Sequence, residues 1–162
     1  MLLPHESAAT FHRTALLLGL TTGDAVVAWA DAALACDPSP PDALICVALV
    51  APTDLSALRS ALQPLAADPE PPEIVMAMIS LLARDLASGR RSCADSCEVL
   101  RQLLRFLVLP AALHDEIESI TTAHYLASHA VEGRLAAAER AVLDWLAPYA
   151  LPDASSSSAA AP

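Results

Sequence analysis

Proline cuts this chain into short pieces, and that limits what it can fold into. The 13 Pro residues fall chiefly between apolar segments, where the ring removes a backbone donor and bars the preceding residue from helical geometry. The segments they leave are periodic runs of 8–17 residues, rich in Leu and Ala. Ala and Leu number 35 and 27, or 38 % of the 162 residues. Aromatics are only 4 %, which excludes the Val-, Thr- and aromatic-rich strands of a β sandwich. An apolar share of 55 % and a mean hydropathy of +0.46 exclude a disordered chain. The expected fold is therefore all-α, an irregular bundle or short superhelical stack of about eight or nine helices. It spans a single domain over residues 1–152, followed by a disordered Ser/Ala tail at 153–162. With no fixed repeat, a regular solenoid has no support.

The helix boundaries are written in capping residues. Ser7–Leu18 carries Phe11, Ala15 and Leu18 on one face, and Gly19 follows as a left-handed cap. Thr21–Asp24 reads as a Thr-x-x-Asp start for a helix reaching Cys36, where Asp37-Pro38 stops it. Ser39-Pro40-Pro41-Asp42 reads as a Ser cap with Pro at the first helical position. The almost wholly apolar Ala43–Val50 then predicts a short helix buried on most sides. Thr53 caps a helix with Leu55, Leu58 and Leu62 inward. Further on, Pro72 opens a helix through Ile74, Met78, Leu82 and Leu86 to Gly89, and Ser92-x-x-Asp95 opens the next. Pro110 precedes a helix over Ala111–Ser119, with Thr121 or Thr122 capping a separate one over Ala123–Glu132. A last helix runs from Leu135 through Val142, Trp145 and Leu146.

Charge narrows the partners. The chain carries 19 acids against nine basic residues, all Arg, for a net −10 spread evenly along its length. Such a surface repels phosphate backbones, so nucleic acid and anionic membranes are disfavoured as partners. The Arg-rich stretch Arg84–Arg105 reads as a solvated helix face with local ion pairs. No apolar stretch reaches the roughly 20 residues of a membrane span, and no signal peptide is evident. These features predict a cytoplasmic protein whose Cys36, Cys46, Cys93 and Cys97 are reduced thiols.

Motifs for chemistry are sparse. Cys93 and Cys97 stand i,i+4, a spacing that suits two zinc ligands better than a disulfide. A metal site would need His124, or alternatively His114 or His129, to complete it. The competing reading is two small thiols filling space near a helix start. There is no Gly-x-Ser-x-Gly, phosphate loop or Cys–His pair, so neither enzyme activity nor a cofactor is expected. Asp115, Glu116 and Glu118 read either as acids opposing the dipole at a helix start or as part of a binding face. Trp29, with Asp31 two residues on, flanks the apolar face of its helix. It either seals the core edge or stands as an anchor for a partner.

Three fragments carry a resemblance: Ala28-Trp29-Ala30-Asp31, Pro41-Asp42-Ala43-Leu44-Ile45, and Tyr125-Leu126-Ala127 followed by Gly133. In order and spacing they resemble a group of small, uncharacterised bacterial all-helical proteins, across residues 16–147. Some of those are associated with immunity against bacterial toxins. The resemblance implies a helical fold and a binding role, and carries no catalytic residues. The function expected is a non-catalytic acidic domain that recognises another protein, with a basic one as a candidate, through Trp29, Asp31, Asp115, Glu116 and Glu118. The alternatives are a small metal protein or enzyme using Cys93, Cys97 and a His, and a structural oligomer packed through Ala-rich faces.

Overall fold

The computed structural model describes residues 4–67, 71–129 and 134–150. Among these it forms eight α-helices and no strand. In order they are α1 (Pro4–Leu17), α2 (Gly23–Cys36), α3 (Asp42–Leu49), α4 (Leu55–Leu62), α5 (Pro72–Ala87), α6 (Cys93–Phe106), α7 (Ala111–Ser128) and α8 (Leu135–Leu146). A 3-10 turn at Ala147–Ala150 closes the series. The fold is all-α, and none of its described helices is long and apolar enough to cross a membrane. The tail expected at 153–162 and the end of the helix expected at Ala123–Glu132 lie outside the described residues.

Several helix ends follow the sequence cues in atomic detail. After α1, Gly19 adopts φ +65°. Leu20 N–H reaches the Ala15 carbonyl at 2.8 Å and Gly19 N–H the Leu16 carbonyl at 3.3 Å, the paired bonds of a Schellman motif. Gly89 repeats the device after α5, with Arg90 N–H on Asp85 and Gly89 N–H on Leu86. At the start of α6, Ser92 Oγ accepts from Asp95 N–H (3.1 Å) and donates to Asp95 Oδ2 (2.7 Å), a short form of the capping box.

Others shift for physical reasons. The cap of α2 is Thr22 rather than Thr21, its hydroxyl accepting from Ala25 N–H. Asp54 rather than Thr53 caps α4, with its carboxylate on Ala57 N–H. Ser39 does not cap α3. Its N–H turns back to Asp37 Oδ1, and the helix starts after Pro41, which stays extended at φ −64°, ψ 141°. The Pro41 ring excludes Pro40 from helical geometry, so the start is displaced by two residues. The helices expected at Ala111–Ser119 and Ala123–Glu132 are one, α7. Thr121 sits buried within it and donates its hydroxyl to the Ile117 carbonyl at 2.8 Å. That back-bond satisfies the side chain inside the helix and removes the need for a cap.

The expected single-domain span, residues 1–152, packs as two compact units. One comprises Met1–Met78 and Gln102–Pro110; the other comprises Ile79–Arg101 and Ala111–Pro162. In the first, α1 packs on α4, α2 on α3 and α3 on α4, with α1 and α4 also touching α2. Their shared core is Ala9, Leu16, Val26, Ala30, Leu44, Val47, Leu58 and Leu62, and Trp29 packs against its edge. Burial in α3 is one-sided. Leu44 and Val47 go inward, whereas Ile45, Cys46 and Leu49 face solvent, Leu49 being 81 % exposed. Leu55 of α4 is likewise exposed. In the second unit α7 packs on α8. Ile117, Thr121, His124 and Ala127 are buried on α7, and Val142 and Leu146 on α8. Leu135, expected inward on that last helix, is exposed.

Among the described glycines, Gly23 makes the closest backbone approach. A Cβ there would run into the Pro52 carbonyl and come within 2.9 Å of Leu58 Cδ1. Gly89 has open space around its missing Cβ and is constrained by its φ of +72° alone. Gly23→Ala should therefore lower the unfolding free energy by about 3 kcal/mol, the range of a rigid overpacked site. Gly89→Ala should cost only about 1 kcal/mol. Urea denaturation of the two variants checks the ratio, and equal losses would contradict the close approach.

Candidate functional site

Helix α7 carries three of the predicted partner-binding residues. Because it begins at Ala111, Asp115, Glu116 and Glu118 lie beyond its first turn, where the dipole no longer explains them. All three are exposed. Glu116 Oε2 accepts a hydrogen bond from Trp145 Nε1 at 3.1 Å, so part of its role is to seat α8 on α7. Trp145 is only half-buried and its ring also meets Tyr149 at 5.3 Å.

Asp115 and Glu118 are placed differently. With Ser119, Thr122, Ala123 and Leu126 they line one open groove on α7. Their spacing, i, i+3, i+4, i+7, i+8 and i+11, is a straight stripe on a helix, about 16 Å long. It runs from two carboxylates through hydroxyls to an apolar end, where Leu126 is 62 % and neighbouring Tyr125 52 % exposed. Ala123 and Leu126 also border a second groove with Ala127, Arg134 and Ala138. The apolar end was not assigned to a site from sequence. A Leu or Tyr in an apolar helix reads as core, and the Thr121/Thr122 break assumed there split the stripe in two.

Trp29 and Asp31 lie in the first unit. Asp31 is exposed, whereas Trp29 is half-buried and stacks its ring on His12 at 4.8 Å. Trp29 thus seals the core edge. His12 Nδ1 has no hydrogen-bond partner among the described residues, and burial pulls the imidazole below its ordinary 6.5. On the same helix, the His5 imidazole lies 2.9 Å from Asp37 Oδ2. Together with Ser39 N–H, the stronger influence, it holds the Asp37 carboxyl below the usual carboxylate range.

The thiol and imidazole groups weighed for metal binding are not gathered into a site among the described residues. Cys93 is half-buried and directs its thiol at the Glu139 carbonyl, 3.7 Å away. Burial, reinforced by Glu139, raises its pKa. Cys97 is buried, and desolvation with the nearby Cys93 pushes it up to about 11 despite the opposing charge of Arg101. Both effects disfavour the thiolate that a metal would need. His124 is buried, and its Nε2 lacks a partner among the described residues. The three donors that do converge are His114, Asp115 and Glu118, their ligand atoms within 4.8 Å of one another. All three come from one turn of α7, and both carboxylates are exposed to water. The pattern offers one imidazole and two carboxylates at the acidic end of the stripe. Comparison with protein families, with curated proteins and with solved structures finds no match to the chain.

Two measurements check this arrangement. In a Trp145→Phe background, Trp29 fluorescence should titrate with His12, with a midpoint below pH 6.5, because an imidazolium quenches the indole it stacks on. Since the folded pKa is depressed, the unfolded chain takes the proton first. His12 therefore withdraws stability as pH falls from about 6.5 towards the folded value. His12→Gln should remove both the titration and that part of the slope. Separately, a thiol reagent at pH 8 should modify exposed Cys36 and Cys46 first and buried Cys97 last, with zinc giving Cys93 and Cys97 no protection.

Proposed function

We propose that this chain is a non-catalytic protein-binding domain, and that the outer face of α7 engages a basic protein partner. The observation that carries this reading is the exposed stripe from Asp115 and Glu118 to Leu126 on one helix face. Carboxylates beside a small apolar anchor match a partner segment that offers Arg or Lys next to an aliphatic side chain. The charges steer the encounter and set the register, and the apolar contact supplies the buried centre. The net charge of −10 favours a cationic partner over an acidic one. The resemblance to small bacterial helical proteins, some of them toxin-immunity partners, points the same way. An immunity-type domain neutralises a toxin by covering its cationic site.

Trp29, first considered as an anchor, contributes to the core of its own unit, so α7 takes the anchoring role through Leu126 and Tyr125. Glu116 sits at the border of the stripe, held by Trp145.

The test is co-purification of the full chain from its native host at low salt, followed by reconstitution of the captured protein with purified chain. The expected complex weakens as salt rises. It should lose at least a hundredfold in affinity, about 2.7 kcal/mol, in an Asp115→Arg/Glu118→Arg double variant, and comparably in Leu126→Asp. Asp42→Arg, on α3, should bind as the parent does. A reconstituted complex indifferent to the α7 changes would overturn the reading, as would a chain with no partner at any salt or one that binds only itself.

A further inference from the structure

The acidic end of the α7 stripe carries more than charge. Two carboxylates suffice to meet an Arg or Lys, yet an imidazole stands beside them. His114, Asp115 and Glu118 each bring one donor atom to within 4.8 Å of the other two. Helix spacing produces this convergence. Glu118 stands i+4 from His114 and i+3 from Asp115, the two intervals at which side chains on a helix meet. The imidazole already turns Nδ1 towards Asp115, 3.7 Å from Oδ1. The side chains of His114 and Asp115 are 44 % and 81 % exposed, and Glu118 is exposed as well, so an ion reaches all three from water.

The turn that holds these donors is fixed from behind. Ile117, between them in sequence, is fully buried on the inner face of α7. One turn on, the buried Thr121 hydroxyl bonds back to the Ile117 carbonyl. Side-chain rotation is then all that is needed to close the set. Donors on one ion at about 2.1 Å lie about 3–3.5 Å apart, so the widest gap closes by about 1–2 Å. The two carboxylates repel each other at this separation, and a divalent cation between them removes the repulsion. The net charge of −10 draws cations of every kind towards the chain, and the imidazole selects among them. Mg²⁺ and Ca²⁺ take shells of oxygen, whereas Zn²⁺, Fe²⁺ and Ni²⁺ accept imidazole beside carboxylate.

We propose that His114, Asp115 and Glu118 bind one divalent transition-metal ion on the outer face of α7, through one imidazole nitrogen and one oxygen from each carboxylate. Three protein donors leave the other positions of the ion to water, on the side of the groove that Asp115 and Glu118 line. A bound ion also cancels the two negative charges at that end of the stripe. Resting on the partner-binding reading above, this makes the ion a competitor of the basic partner, since both use the same carboxylates.

The experiment uses metal-free full-length protein carrying Cys36→Ser and Cys46→Ser, which removes the exposed thiols as competing ligands. It is titrated with Zn²⁺ by calorimetry and with Mn²⁺ by NMR. Zinc should bind saturably, one ion per chain, and Mn²⁺ should broaden the amide signals of residues 113–119 first. His114→Ala and Glu118→Gln should each weaken zinc at least tenfold with the fold intact, since neither residue is buried. Asp42→Asn, at an exposed acid on α3, should bind zinc as the parent does, and Mg²⁺ should bind the parent at least tenfold more weakly than zinc. Parental zinc affinity in His114→Ala, magnesium as tight as zinc, or broadening spread evenly over the acidic residues would each overturn the assignment. These titrations need no partner, so their outcome is independent of the partner-binding reading. With a partner in hand, zinc should weaken the parent complex at least tenfold and leave that of His114→Ala, which keeps both carboxylates, unchanged. A parent complex indifferent to zinc would overturn the competition while the metal site stands.

Discussion

Ending helices is the constraint on which this structure depends. Each α-helix leaves four N–H and four C=O groups without an intrahelical partner. A chain whose described residues form eight helices has a large share of its backbone in that condition. It has no Asn, and with no Lys only Arg can supply long cationic side chains, so few residue types are left to cap helices. Thr22, Asp54 and Ser92 serve three helix starts, and the glycines at 19 and 89 serve two helix ends. Once the ends are closed, Leu fills the interior. Ala9 and Ala30 occupy the shared core where larger side chains would hold helices apart.

The elements legible in the sequence were those whose signal is local. Gly19, Gly89 and Ser92 act through residues at most five positions away, and each cap forms as its neighbours dictate. The elements misread depend on competition. Ser39 is a good capping residue, but Pro40-Pro41 dictates the backbone beyond it. Thr121 is as good a cap as Thr22, yet inside α7 its hydroxyl bonds back to Ile117. Burial was harder still, because it depends on neighbours from distant sequence. Leu44 and Leu49 share one apolar run; the first is fully buried and the second is almost bare.

The same distinction governs the sites. Asp115, Glu116 and Glu118 were read either as acids at a helix start or as part of a binding face; they are exposed, but beyond the first turn of α7. Their division into a groove pair and a hydrogen-bonded third needed the position of Trp145, 29 residues away. Arg13 and Arg59 gave no sequence signal at all. These two isolated arginines, 46 positions apart, line one groove because α1 packs on α4.

Exposure of Leu126 on α7, like that of Leu49 on α3, is not explained by stability alone. A fully buried Leu is worth about 1.5–3 kcal/mol over an exposed one, and α7 leaves Leu126 largely in water while its opposite face buries Ile117, Thr121, His124 and Ala127. A Glu or Arg at position 126 would serve an outward helix position as well and keep the chain more soluble. The apolar side chain gains its free energy only when something covers it, and the carboxylates one end of the stripe away determine the sign of what can approach. Apolar gain and charge selection therefore lie on one rigid helix. Its far side is fixed by the core, so under the proposed reading a partner would meet the anchor and the charges already in register.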